Sequence, residues 1–173
     1  MQRQVDPSKV GLSYLGNPNV KRDGVQQNFT AQQIEEYKKC MADPAYFAKA
    51  YCKIINIDKG LVPFNLYPYQ EKMFKQFQQN RFNIVLKSRQ LGLSTVTAAY
   101  CVWYAIFKKD KNILVIATKL NTAINFIKKV KTMLDNLPQW LLLTKFEPTK
   151  QSVRFTNGST IRSEEHTSEL PVT

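Results

Sequence analysis

The chain has 173 residues, of which 43% are apolar, and carries a formal net charge of +12 at pH 7 with an isoelectric point near 9.7. That length and composition suit one soluble globular domain with a real core and exclude a disordered chain, and no stretch approaches the roughly 20 apolar residues of a membrane span. The N-terminus, MQRQVDPSKVG, lacks the apolar segment of a secretory signal, and the basic excess favours an anionic partner such as nucleic acid, with solubility alone as the bland alternative.

Residues 1–29 contain Pro7, Gly11, Gly16, Pro18 and Gly24 with little periodicity and read as a flexible N-terminal arm. Thr30 then opens a helix that runs to about Met41. Thr30 and Gln33 fit a capping box, in which each side chain accepts from the other's backbone amide. Asp43 followed by Pro44 is a second start signal, an N-cap and then a first helical position. The helix it opens has Phe47, Ala50 and Tyr51 on its expected apolar face. Leu61–Tyr67 is extended, punctuated by Pro63 and Pro68. A helix from about Pro68 to Gln79 places Tyr69, Met73, Phe74 and Phe77 at helical spacing.

Phe82–Leu86, FNIVL, reads as a short apolar strand, and a loop, Lys87–Gly92, leads into a helix from about Leu93 to Phe107. After a turn at Asp110–Lys111, Asn112–Ala117 is a second apolar strand. A helix over about Asn121–Asn136 follows, with Ile124, Ile127, Val130, Met133, Leu134 and Leu137 on one side. Ser152–Thr156 and Ser159–Ile161 flank Asn157-Gly158, a strong hairpin signal. Strand, loop, helix, strand, helix is the pattern of an α/β fold with a parallel sheet covered on both faces. Cys40, Cys52 and Cys101 show no metal-ligand spacing and read as free buried thiols.

Arg162 to Leu170, RSEEHTSEL, resembles the conceptual translation of a common sequencing adapter, AGATCGGAAGAGCACACGTCTGAACTC. On that reading native sequence stops at about Ile161, residues 162–173 are an adapter-derived tail, and His166 has no role. A solvated C-terminal extension is the alternative.

The chemistry concentrates in Lys87-Ser88-Arg89-Gln90-Leu91-Gly92-Leu93-Ser94-Thr95. Against the pattern GxxxxGK[ST], Gly92 fills the second glycine and Ser94 the hydroxyl position, but Leu93 stands where lysine is expected and Lys87 where the first glycine would be. Such a loop binds phosphates with backbone amides at a helix N-terminus, one ammonium near the β- and γ-phosphates and one hydroxyl on Mg²⁺. Because the loop wraps the phosphates, a long side chain at position 87 reaches them as well. By consensus alone the match fails, and a structural strand-turn-helix stays open. Upstream, Leu66-Tyr67-Pro68-Tyr69-Gln70 combines rings able to stack on a base with an amide that offers both a donor and an acceptor to the adenine edge. Ordinary helix packing explains a Tyr-Gln pair equally well.

The run KSRQLGLST resembles the deviant Walker A motif of the large terminase subunits of tailed bacteriophages. Ser88, Arg89, Gln90 and Gly92 match one form of that motif, and Lys87 matches the form with the lysine shifted to the start. YPYQ resembles the family's adenine-reading Q motif, and Ala117-Thr118-Lys119 and QSVRFTNGSTI resemble later segments. Lys119 reads equally as a surface lysine. The resemblance covers about Tyr46 to Ile161, and only the Walker A is specific.

It implies a P-loop NTPase fold, a parallel sheet flanked by helices behind a helical N-terminal region, with 30–161 a partial ATPase domain truncated before the Walker B strand. It implies ATP and Mg²⁺ as ligands. ATP would be held by Tyr69, Gln70, Lys87, Ser88, Arg89, Gln90, Gly92, Ser94 and Thr95, with Ser94 on the metal. Lys87 and Arg89 would be catalytic, the arginine acting on its own nucleotide or a neighbour's.

The implied activity is ATP hydrolysis coupled to movement of double-stranded DNA into a procapsid. The implied partners are the portal protein, the small terminase subunit and further copies in a ring, at the procapsid portal in the host cytoplasm. No apolar strand ending in Asp-Glu is present, and nothing matches the family's downstream nuclease domain. The expectation is therefore a fragment that binds nucleotide without turning it over. A helicase-like translocase and a non-catalytic basic nucleic-acid-binding domain are the alternatives.

Overall fold

The computed structural model describes residues 13–14, 17–21, 29–142, 144 and 146–165. Within the segment expected to be a loose arm, β1 (Ser13–Tyr14) pairs antiparallel with β2 (Asn17–Lys21). The expected capping box opens α1 (Ala31–Ala42): Gln33 N donates to Thr30 Oγ1 at 3.2 Å and Thr30 N to Gln33 Oε1 at 3.0 Å. Asp43 Oδ1 accepts from Ala45 N and Tyr46 N at 2.8 and 3.2 Å and starts α2 (Pro44–Tyr51). Its inward stripe is Pro44, Phe47, Ala48 and Tyr51, and Ala50 is exposed, contrary to expectation. Positions 44, 47, 48 and 51 follow the i, i+3, i+4, i+7 rule, which leaves position 50 on the far side.

Next comes a hairpin, β3 (Lys53–Asn56) against β4 (Gly60–Pro63), with Ile54 opposite Val62. Asn56 Oδ1 accepts from Asp58 N and Lys59 N at its turn. The helix α3 (Pro68–Gln79) has the expected bounds and buries Gln70 and Phe74.

FNIVL is not a strand. Residues 82–88 have no regular secondary structure, and Ile84 and Leu86 are each 101% exposed. A strand exists only through the ladder it makes with a neighbour, and no described strand pairs with this segment.

The next helix, α4 (Leu93–Phe107), is the centre of the molecule, with Val96, Ala99, Val102 and Trp103 among its buried residues. The Trp103 indole N–H donates to the Cys40 carbonyl at 2.8 Å, so its buried polar atom is satisfied and α1 is tied to α4. Phe107 takes edge-on contacts from Tyr37 and Phe47.

β5 (Asn112–Ala117) leads to α5 (Leu120–Asp135), which buries Phe126, Ile127, Val130, Met133 and Leu134. Then come β6 (Phe146–Pro148), β7 (Ser152–Phe155) and β8 (Thr160–Glu165). The sheet order is β5-β8-β7-β6. β8 runs parallel to β5, with Ile113 beside Ile161, and antiparallel to β7, with Val153 beside Ile161. β6 and β7 are also antiparallel.

The fold is α/β, but the sheet is mixed, not parallel throughout. It is also not covered on both faces along β5, where Leu114 and Ile116 are exposed. The hairpin at Asn157-Gly158 accounts for the difference, since a tight turn can join only antiparallel neighbours. β8 continues across the 161/162 boundary, and its Arg162, Ser163 and Glu164 lie beside Leu114, Val115 and Ile116 of β5. That is a polar run in a place where parallel strands are ordinarily apolar.

Candidate functional site

The loop before α4 turns on two left-handed residues, Gln90 with φ 63° and Gly92 with φ 70°. Gly92 is the N-cap of α4, and its carbonyl accepts from Thr95 N at 2.9 Å and Val96 N at 3.0 Å. Among the described residues no side chain caps this end of the helix. An uncapped N-terminus presents unpaired amides and the positive end of the helix dipole, the combination that receives anions.

The loop is held from beneath by the start of α3. Tyr69 Oη donates to the Leu91 carbonyl at 2.9 Å, and Gln70 Nε2 donates to the same carbonyl at 3.3 Å. Gln70 Oε1 accepts from Tyr67 N at 3.0 Å, and the residue is only 3% exposed. A Cβ at Gly92 would lie 2.9 Å from Gln70 Nε2. Glycine is required here twice, by its left-handed backbone and by the close amide. The rings of Tyr67 and Tyr69 stack 5.7 Å apart at an interplanar angle of 6° and remain exposed.

Of the expected site residues, the fold thus brings together Tyr69, Gln70 and Gly92. Lys87, Ser88, Arg89, Gln90 and Ser94 are exposed, and among the described residues their side chains make no hydrogen bond or ion pair. Thr95 is engaged elsewhere, its Oγ1 accepting from Lys129 Nζ of α5 at 3.3 Å. Lys119 is the N-cap residue of α5, just past the C-terminal end of β5. From residue 72 to residue 109 the sequence holds no carboxylate, so the loop lies in a purely basic stretch.

Two partners were not read from the sequence. The Leu91 carbonyl gathers Tyr69 and Gln70, and a backbone acceptor has no sequence signature. Lys129 lies on the polar side of α5, where the Lys128-Lys129 pair was the available signal.

The thiols of Cys40 and Cys101 are buried and free, and burial pushes each up to about 12. Burial also raises Cys52 well above the ordinary thiol value. Among the described residues no group of three or more His, Cys, Asp or Glu could hold a metal ion, and no helix is long and apolar enough to cross a membrane.

Residues 84–168 match a protein-family model described as terminase large subunit, T4likevirus-type, N-terminal. The matched span begins just before the KSRQLGLST loop, contains the loop, α4, α5 and the hairpin, and ends at Ser168. The likeness drawn from that loop is therefore sustained over the following strands and helices. Tyr69 and Gln70 lie upstream of the match.

Proposed function

Proceeding from a chain whose residues 84–168 match a terminase large-subunit N-terminal model, we propose that it is the ATP-binding part of a viral DNA-packaging motor. The observation that carries this is the convergence of Tyr69 and Gln70 on the Leu91 carbonyl. It fixes an aromatic and amide segment against the uncapped N-terminus of α4, behind a loop bearing two cations.

The residues fit a nucleoside triphosphate with Mg²⁺. The amides at the start of α4 receive phosphate oxygens, and the glycine at 92 leaves room for them. Lys87 supplies the ammonium that Leu93 cannot, and Arg89 a second cation. The exposed hydroxyl of Ser94 is the metal-side ligand. Mg²⁺ would contribute charge neutralisation between the phosphates. The paired rings of Tyr67 and Tyr69 offer a surface for the base. Gln70 first positions the loop, and its second N–H and second lone pair are what it has left for adenine.

Hydrolysis also needs a positioned carboxylate on an apolar strand, and this sequence has no such strand. The chain is proposed to bind ATP without turning it over. In the whole motor the same loop would drive double-stranded DNA through the portal, within a ring of copies, with the small subunit as partner, in the host cytoplasm.

The test is titration of the chain with a fluorescent ATP analogue, with and without Lys87→Ala, beside an assay for phosphate release. Loss of a charge-assisted hydrogen bond should weaken binding by about 10- to 100-fold, with no release in either protein. Unchanged affinity in Lys87→Ala would remove the lysine assignment. Sustained Mg²⁺-dependent release that disappears in the variant would show that the chain holds its own catalytic acid.

A further inference from the structure

Behind the start of α4, the hairpin strand β3 and one side of α5 border an open cavity of about 440 Å³. That volume lies in the range of small-ligand sites. Three of its lining residues are lysines, Lys53 from β3 and Lys128 and Lys129 from α5. Thr95, Asn125 and Thr132 add neutral polar groups, and among the described residues the remaining wall is apolar and no carboxylate lines it. Positions 125, 128, 129 and 132 follow the i, i+3, i+4, i+7 rule, so one side of α5 presents them together.

We propose that this cavity is a phosphate-binding site. Three ammonium groups gathered around one space repel each other, and none of them forms an ion pair among the described residues. Most lysines avoid that cost by pointing into water or beside a carboxylate. Lys129 has no carboxylate beside it: although the residue is exposed, its ammonium donates to Thr95 Oγ1 at 3.3 Å, and partial desolvation pulls its pKa below the ordinary lysine value. A phosphate would relieve the mutual repulsion and restore solvation to Lys129. Its several acceptor oxygens also suit a wall of hydroxyl and amide donors. A carboxylate ligand would leave more of these donors unused.

Of the residues assigned to the nucleotide, the cavity is lined by Thr95 and by neither Lys87 nor Arg89, so the two sites adjoin at the start of α4. The phosphate has two possible sources, the backbone of a nucleic acid or the polyphosphate of a nucleotide reaching past Thr95.

The experiment compares three proteins in the full chain. One is Lys53→Ala/Lys128→Ala/Lys129→Ala. The second is Lys38→Ala/Lys72→Ala/Lys109→Ala, which removes the same charge from exposed positions elsewhere. The third is Lys128→Glu, a single change at an exposed position that keeps the test decisive should the first triple variant not fold. Each is titrated with a short fluorescent DNA duplex over a range of salt, and separately with ATP.

If the phosphate belongs to nucleic acid, the cavity variants lose about 10-fold or more in duplex affinity. The triple variant's log–log salt slope then falls by about one per lysine removed, well beyond the remote control, and ATP binding is unchanged. If it belongs to a nucleotide, the same loss appears with ATP and not with the duplex. Cavity variants that move neither affinity more than the remote control would overturn the proposal.

Discussion

At its C-terminal end α4 is closed by the Asn157-Gly158 turn. Asn157 Nδ2 donates to the carbonyls of Ala105 and Lys108 at 2.8 and 3.3 Å, and Ser159 Oγ donates to the Lys108 carbonyl at 2.9 Å. At its N-terminal end no side chain among the described residues caps the free amides; Tyr69 and Gln70 hold the carbonyl of Leu91, one residue before the N-cap, and Lys129 reaches only the Thr95 hydroxyl. The two ends have equal need of partners. One is satisfied from within the fold, whereas at the other the loop is braced and the amides are left bare. A terminus arranged that way is free to receive an anion, and the bracing of the loop without capping of the helix is what distinguishes it from a frayed end.

The comparison can be broken at either end. Asn157→Ala should have the largest effect on the fold, because it removes the amide that these carbonyls share and leaves Ser159 Oγ to serve Lys108 but not Ala105. A loss of about 1 to 3 kcal/mol is expected in urea denaturation, with nucleotide affinity unchanged in the folded fraction. Equal stability of variant and parent would mean that water serves those carbonyls as well as Asn157 does.

At the other end, Gly92→Ala should cost about 1 to 2 kcal/mol for a left-handed non-glycine residue. It should also displace Gln70, whose amide lies 2.9 Å from the new methyl. Here the two measurements should fall together, stability in urea and ATP affinity by fluorescence titration. Intact affinity beside reduced stability would separate the glycine from the site and leave it a purely structural turn.

The smallest expected effect lies between the ends, at Cys101. Its thiol is raised from an ordinary 9.0 to about 12 by burial, as is that of Cys40. The folded state thus favours the protonated thiol. The stability this contributes is fully present below pH 9 and is lost progressively as pH rises from 9 toward 12. At pH 8 both thiols should resist alkylation by iodoacetamide until denaturant is added, as read by mass spectrometry. Prompt labelling of Cys101 in the native chain would show that α4 opens locally.

What was legible in the sequence was local. Thr30 and Gln33, Asp43 and Pro44, and Asn157-Gly158 each carry their own geometry, and α3, α4 and β5 have the bounds that capping residues and apolar spacing set. FNIVL failed because its apolar content states a need for burial, not which strand will meet it. β3 and β6 were missed because four residues, KIIN, and three, FEP, are too short for any periodicity to show. In the candidate site, Gly92 was readable from the spacing of the loop and the Tyr69-Gln70 pair from the resemblance of YPYQ to a Q motif. The join between them was not, since it runs through a backbone carbonyl, and Lys129 meets Thr95 from 34 positions away.

Trp103 gives this architecture an optical consequence. Its indole is buried 3% exposed, bonded to the Cys40 carbonyl, and ringed by Tyr100, Tyr104 and Phe107 with centroids 5.5, 6.1 and 6.3 Å away. Light absorbed by those two tyrosines passes readily to so near an indole, and a dry indole emits at shorter wavelength than a wet one. With Trp140, the other tryptophan, replaced by phenylalanine, the emission colour would report on a single helix from a point nearer its closed end than its open one. Events at either end would then be visible without any attached dye.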